Sequence, residues 1–163
     1  IITDGDYYHI VDEKKHFGDI EDANHVGKGF DGIDRIYRMY QGSVDPEYIH
    51  LNNEEKRKYF ETFGTYIGEY TLEVDIFKKA TGPDRDVLCS IFNQLTNGGQ
   101  VQKNNFSAEL SSGRYNKCLS KIESTYSGIG KGRFAQRLAT HISASIIPEY
   151  ISNAIDAIVA KVR

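Results

Sequence analysis

The spacing of apolar and polar positions along the chain predicts helices with a few short strands. In the segment 32–41, Ile33, Ile36, Tyr37 and Tyr40 recur at helical spacing and would give one apolar face. Apolar spacing and turn residues predict further helices over residues 53–60, 71–79, 84–95, 114–123, 133–145 and 148–162. Short strands are predicted at 1–3, 48–51 and 62–66, and loops at 7–28 and 96–105. Together these elements predict an α/β fold that is mostly helical after residue 70.

Two apolar segments are predicted to be buried. Ile1–Thr3 is typical of the end of a buried strand. The last helix carries an apolar stripe, which we expect to pack in the core or at an interface. The stripe consists of Tyr150, Ile151, Ala154, Ile155, Ile158, Val159 and Val162.

The composition is ordinary for a soluble domain of 163 residues with a net charge of -3. There is no apolar run long enough to span a membrane and no signal-peptide pattern, so we expect a cytoplasmic location without membrane partners. Cys89 and Cys118 have neither a disulfide-scaffold nor a zinc-ligand spacing, and they favour a reducing compartment. Because the chain opens on Ile1 and directly on a strand, we expect it to be a piece of a longer protein.

The charges are unevenly distributed along the chain. Residues 1–100 hold 19 acidic and 11 basic residues, whereas residues 101–163 hold 4 acidic and 9 basic residues. Such a division suits carboxylates that gather a metal and basic groups that meet phosphate, although two solvated surfaces would produce the same pattern.

Asp4 and Asp6 follow the first strand in the order Asp-Gly-Asp. Two carboxylates held close together repel each other unless a cation intervenes, and Mg²⁺ prefers oxygen ligands. The pair is therefore a candidate metal site, and an ordinary turn is the alternative.

Two helix starts carry the other candidates. Thr71 is a good N-cap residue, and with Glu73 it could offer oxygens to a cation; an acid that interacts with the helix dipole is the alternative. Lys131 lies in Ser127–Arg133, a glycine-rich segment just before a helix, where a lysine could neutralise phosphate charge; a flexible loop with a solvated lysine is the alternative. Gly132 follows Lys131, so this is not a Walker motif.

The order and spacing of these motifs resemble the C-terminal part of the Toprim nuclease domain of OLD-family (overcoming lysogenisation defect) endonucleases, Gabija-type relatives included. The motifs are Asp4-x-Asp6, Thr71-Leu72-Glu73-x-Asp75, Gly130-Lys131-Gly132-Arg133-Phe134-Ala135, and Ile147-Pro148-Glu149-Tyr150-Ile151 followed by Ala154-Ile155.

The resemblance implies a fold, an activity and partners. The fold would be a partial Toprim-like sheet flanked by helices: residues 1–83 would belong to the core, 84–125 to a helical insertion and 126–163 to C-terminal helices that carry the lysine. The activity would be cleavage of double-stranded DNA with two Mg²⁺ or Mn²⁺ ions, in antiviral defence. ATP would act only through an ATPase domain of the same parent protein that lies outside this chain.

The resemblance also assigns residues to roles. Asp4, Asp6 and Glu73, with Thr71 beside it, would be metal ligands, and Glu73 would be catalytic as well. Lys131 would stabilise the transition state at the scissile phosphate. Arg133 would help to bind phosphate.

Two other interpretations remain open. Asp31, Glu54 and Lys56 resemble the D…E-x-K pattern of restriction-endonuclease-like toxins, although the E-x-K should lie on a strand and here the pattern predicts a helix. Alternatively, the helical half could be a non-catalytic module for dimerisation or partner docking. Independently of this alternative, we expect the chain to form a homo-oligomer through helical surfaces.

Overall fold

The computed structural model describes residues 1–11, 14–17 and 28–162. These residues form two compact units. The first unit contains the described residues up to Leu72 together with 148–162, and the second contains residues 73–147.

Every strand in the described part of the chain lies in the first unit. β1 (Ile2–Thr3) pairs in parallel with β5 (Tyr66–Ile67), with Ile2 opposite Tyr66. β2 (Tyr7–Val11) lies at the centre of an antiparallel sheet, between β3 (Lys14–Phe17) and β4 (Lys28–Phe30).

The antiparallel sheet corrects the prediction of a loop over residues 7–28. The Tyr-Tyr-His-Ile-Val sequence of β2 is rich in aromatic and β-branched residues, which favour strands, but it lacks the alternation of a half-buried strand. β2 forms because it pairs with two neighbouring strands, which satisfies its backbone N–H and C=O groups. The loop prediction for residues 12–13 and 18–27 lies outside the described residues.

Most described residues lie in helices. In chain order these are α1 (Asp31–Tyr40), α2 (Asn53–Glu61), α3 (Leu72–Lys79), α4 (Pro83–Leu95), α5 (Gln100–Ser111), α6 (Tyr115–Glu123), α7 (Lys131–Ala139) and α8 (Glu149–Val162). Short 3₁₀ helices are formed by Pro46–His50 and Ala144–Ile146.

The core of the first unit is largely aromatic. Ile33 and Ile36 of α1 are buried with Tyr48, Phe60 and Ile67, as the helical spacing of residues 32–41 predicted for the two isoleucines. Tyr37 stacks on Tyr48 with ring centroids 5.1 Å apart.

The predicted strand at 48–51 is wrong, and the strand at 62–66 is confirmed only at its end. Tyr48 lies in a 3₁₀ helix because Asp45 accepts a hydrogen bond from the Glu47 amide at 2.9 Å and Pro46 starts the turn. The predicted α2 helix is confirmed: Asn52 caps its start, and Glu55 completes a capping box.

The second unit is a helical bundle around four phenylalanines. Phe92 stacks on Phe106 at 4.0 Å, and Phe77 makes edge contacts with Phe106 and Phe134. This unit differs from the prediction in one missed helix and one shifted helix. Helix α5 was not predicted, and its first residues lie in the expected break at 96–105, of which only residues 96–99 are irregular. Helix α7 begins at Lys131 and ends at Ala139, whereas the prediction placed it over residues 133–145.

The two apolar segments predicted to be buried are largely exposed in this chain. Ile1 and Ile2 are about half exposed, although the predicted strand itself is present. In α8 only Ala154 is fully buried, whereas Ile158 is 62% and Val162 is 79% exposed. The stripe of α8 is therefore not core in the described structure.

The architecture agrees with an α/β class at a coarse level. Helices dominate the described residues. Among these residues, parallel strand pairing is limited to β1 and β5, which have two residues each. The Toprim-like sheet and the division at residues 83 and 125 stay predictions. No helix in the described ranges has the length and apolar character needed to cross a bilayer.

Candidate functional site

The Asp4-Gly5-Asp6 turn is held by backbone contacts within the first unit. The Gly5 amide donates to the Tyr70 carbonyl at 3.1 Å, and the Gly32 amide donates to the Gly5 carbonyl at 2.9 Å. A Cβ atom at Gly5 would lie 2.0 Å from the Gly68 carbonyl oxygen. Only glycine fits between the two aspartates, so the two carboxylates are carried on a rigid turn.

Asp4 caps helix α3. Its Oδ1 accepts a hydrogen bond from the Leu72 amide at 3.1 Å, which satisfies one of the free N–H groups at the helix start. The sequence predicted that Thr71 would provide this cap. Instead, the Thr71 Oγ1 is buried and has no hydrogen-bond partner among the described residues.

Asp6 is held by Arg35. Both Nη atoms of Arg35 lie 3.1 Å from Asp6 Oδ2, and Nη2 also donates to Thr3 Oγ1 at 3.3 Å. The Asp6 backbone is left-handed (φ 49°), an unfavourable conformation for a residue with a side chain. Sequence reasoning missed Arg35, because nothing near it in the sequence marks the long-range contact between α1 and the turn.

The first unit carries oxygen donors of the kind that a hard divalent cation prefers. Asp4 and Asp6 supply carboxylates, and the buried, unpartnered Thr71 hydroxyl is the kind of atom that a cation would satisfy. Mg²⁺ usually keeps several waters, so a partial protein shell is enough. In the part of the chain that the structure describes, no three His, Cys, Asp or Glu side chains gather as a metal cluster. The assignment of Glu73 as a further ligand stays a prediction.

Two residues singled out from the sequence meet in the second unit. Glu73, in the first turn of α3, and Lys131, the first residue of α7, lie 3.9 Å apart between Oε2 and Nζ. Glu73 is buried, with its side chain only 11% exposed, whereas the Lys131 side chain is 39% exposed. The arrangement gives a charged lysine that is fixed at one side by a buried carboxylate and is still accessible to solvent.

Lys131 also pairs with Glu123, a residue that sequence reasoning did not single out. Its Nζ lies 3.1 Å from Glu123 Oε1. Glu123 ends α6 and Lys131 begins α7, so only the folded turn between the two helices shows that they meet.

The glycine-rich segment before α7 shapes this turn. Gly130 has a left-handed backbone (φ 71°), a conformation that glycine adopts without strain, and no side chain caps the first turn of α7. Open N–H groups at a helix start favour an anion. Arg133 lies exposed in the same helix, and its role in phosphate binding stays a prediction.

The residues of the alternative nuclease motif do not have the expected geometry. Glu54 and Lys56 lie on helix α2, whereas the E-x-K pattern needs a strand. Glu54 is fully exposed and pairs with Lys58 at 2.8 Å, which lowers the pKa of its carboxyl group. Lys56 lies 5.4 Å from the ring centroid of Tyr48, and Asp31 begins α1.

Both cysteines are free thiols. Burial raises the pKa of Cys118 to about 12, and burial also raises the pKa of Cys89. Neither thiol is therefore primed as a nucleophile at neutral pH.

No protein-family model and no curated protein matches this chain. Among solved structures, the C-terminal region of the Burkholderia pseudomallei OLD protein is similar, with a TM-score of 0.65 and 21% sequence identity. The match covers 99% of this chain and 69% of that chain. At this identity the likeness establishes the fold. The chain thus shares its fold with the C-terminal region of an OLD protein, as its sequence motifs predicted.

Proposed function

We propose that the chain is the nuclease part of an OLD-like protein, which cleaves double-stranded DNA with Mg²⁺ or Mn²⁺. The observation that carries this proposal is the 3.9 Å pair of Lys131 and Glu73. The two residues belong to separate sequence motifs, and they meet at two helix starts inside one unit. The shared fold with an OLD protein supports the same function.

In this proposal Lys131 acts on the scissile phosphate. Charge builds up on the phosphoryl oxygens in the transition state of phosphodiester cleavage, and a fixed ammonium group offsets it. Glu73 holds the ammonium from the buried side of α3, and the Lys131 side chain is 39% exposed, so that DNA can reach it. The uncapped start of α7 adds a favourable field for the anion.

Asp4 and Asp6, with the Thr71 hydroxyl, would hold the divalent cation. When bound, such a cation lowers the pKa of water and stabilises the leaving oxygen. Arg35 orients Asp6 through Oδ2, and Leu72 orients Asp4 through Oδ1. In the same proposal, ATP acts only through the ATPase domain of the parent protein, and the biological role is antiviral defence.

The test is cleavage of supercoiled plasmid by the full-length protein in Mg²⁺, in Mn²⁺ and in EDTA. Glu73→Gln and Lys131→Ala should each reduce the rate by about 10²–10³-fold, the loss typical of a removed transition-state contact. Each variant is checked for folding by circular dichroism. EDTA should abolish cleavage by the wild type.

Asp31→Ala is the matched control in this assay. It should cleave like the wild type, because the alternative motif has its glutamate and lysine on a helix. Activity lost in Asp31→Ala alone would overturn the proposal in favour of the restriction-endonuclease-like interpretation. A wild-type protein without activity in either metal would also overturn it.

A second candidate function is self-association through α8. Large exposed apolar side chains along one helix are unusual in a monomer, and here they include Ile155, Ile158, Val159 and Val162. A second copy of the chain would bury them. In light scattering after gel filtration, the wild type should then be a dimer, and Ile158→Ser should shift it to monomer whereas Asp156→Ser should not. A monomeric wild type would exclude this function.

A further inference from the structure

The ion pair of Lys131 with Glu123 is shorter than its ion pair with Glu73. Its Oε1 lies 3.1 Å from Nζ, compared with 3.9 Å for Glu73 Oε2. All three residues belong to the second unit. Neither the sequence motifs nor the structural comparison assigns a role to Glu123.

The chain between the two helices brings Glu123 to this position. After α6 the backbone turns back, and the Gly130 amide donates to the Ile122 carbonyl at 3.0 Å. The Ser127 hydroxyl donates to the Ser124 carbonyl at 2.7 Å and accepts from the Ile129 amide at 3.3 Å. Ile129 is buried, which anchors the turn. Because the turn is closed at Gly130, Glu123 and Lys131 lie face to face.

The two carboxylates around Lys131 differ in exposure. The Glu123 side chain is 47% exposed, whereas that of Glu73 is 11% exposed. An exposed ion pair is worth little, since water solvates both charges when it opens. When a buried carboxylate loses the positively charged partner of its ion pair, an uncompensated buried charge remains, and the cost in free energy is large. An incoming anion would therefore displace Glu123 from Lys131 rather than Glu73.

We propose that Glu123 is a positioning residue that holds the Lys131 ammonium in the DNA-free protein and gives it up to a DNA phosphate. This inference rests on the proposed nuclease function. It makes Glu123 a competitor of DNA: the carboxylate keeps Lys131 in place between binding events, and it weakens the binding of phosphate. Removing its charge should thus tighten DNA binding through Lys131.

The experiment is a double-mutant cycle on DNA binding by the full-length protein in EDTA, where cleavage is blocked. Binding is followed by the anisotropy of a fluorescein-labelled DNA duplex. Glu123→Gln should lower the Kd by about 1.5-fold to fivefold, a range set by the modest value of an exposed ion pair. The same substitution should have a smaller effect in the Lys131→Ala background, because no lysine is then released.

Glu47→Gln serves as the control, since Glu47 is exposed and lies in the other unit. The inference is overturned if Glu123→Gln changes the Kd no more than Glu47→Gln does, if it weakens binding, or if its effect is equal with and without Lys131. An equal effect would mean that Glu123 is only a repulsive surface charge.

Different results would contradict the proposed nuclease function and the proposed role of Glu123. If Lys131→Ala cleaves plasmid at the wild-type rate, the nuclease assignment of this lysine fails whatever the binding data show. If the wild type does not bind DNA at all, both proposals fail. If the wild type binds and Lys131→Ala is inactive, but the cycle is additive, only the role of Glu123 fails.

Discussion

The carboxylate of Asp4 accepts a hydrogen bond from the backbone amide of Leu72 at 3.1 Å, and this joins two sequence motifs that are far apart in the chain. The Asp-Gly-Asp turn and the Thr-Leu-Glu helix start are candidate sites on separate sequence patterns. Their contact places Asp4 at the start of α3, where the helix dipole favours a negative charge. Glu73 follows Leu72 directly in the sequence.

This contact predicts that Asp4 has a role in stability that can be separated from cation binding. Asp4→Ala should lower the free energy of unfolding by about 0.5–2 kcal/mol, as for the loss of an N-cap acceptor. Asp4→Asn keeps an oxygen that can accept from the Leu72 amide, and it should cost less. Urea unfolding without divalent metal measures both.

The same two variants test the cation. Mn²⁺ should raise the melting temperature of the wild type, because a ligand that binds only the folded state stabilises it. It should not raise that of Asp4→Asn or Asp4→Ala. A metal-dependent shift in Asp4→Asn as large as in the wild type would show that this carboxylate does not bind the cation.

The unpartnered hydroxyl of Thr71 leads to a second prediction. A buried polar atom without a hydrogen bond costs about 1–3 kcal/mol, so Thr71→Val should leave the metal-free protein equally stable or more stable. It should also reduce the stabilisation by Mn²⁺ if the hydroxyl binds the cation. Thermal unfolding with and without Mn²⁺ distinguishes the two effects. A large loss of stability in the metal-free variant would mean that the hydroxyl already has a partner, such as a bound water.

The sequence predicted the motifs, but it could not predict the tertiary contacts between them. Helical spacing predicted α1, α4 and α6 closely, because a single apolar face determines each of them. It did not predict β2, whose partners are other segments of the chain.

The same distinction holds at the candidate site. Glu73 and Lys131 carry local signals, an acid in a first helical turn and a lysine after glycines. Arg35 and Glu123 carry none, because each becomes relevant only through a partner that folding brings close. Resemblance to a family supplies the order of motifs but not these added ion pairs.

Glycine at the Asp-Gly-Asp turn leads to a third prediction, on stability. A Cβ at Gly5 would lie 2.0 Å from a backbone oxygen that cannot move away cheaply. Gly5→Ala should therefore cost about 3 kcal/mol or more, at or beyond the upper end for overpacking, or prevent folding. Gly42→Ala is the matched control, because a Cβ there meets no atom within 4 Å. It should be neutral or stabilising by up to about 1 kcal/mol. Urea midpoints that agree for the two variants would show that the turn opens to accept a side chain.

Cys118 leads to the last prediction, a loss of stability at alkaline pH. Burial raises its pKa from 9.0 to about 12, so the folded protein keeps the thiol proton after the unfolded chain has lost it. The stabilising contribution is complete below pH 9, and it is lost as the pH rises from about 9 to about 12, by at most about 1.4 kcal/mol per pH unit. Urea unfolding from pH 7 to pH 10 should show a smaller loss of unfolding free energy for Cys118→Ala than for the wild type, although the variant is less stable at pH 7 because of the cavity.

Alkylation of the thiols is an independent test of this burial. At pH 8 the native protein should react at the half-buried Cys89 and spare Cys118. Equal alkylation of the two thiols in the native state would mean that α6 opens readily and that burial does not protect this group.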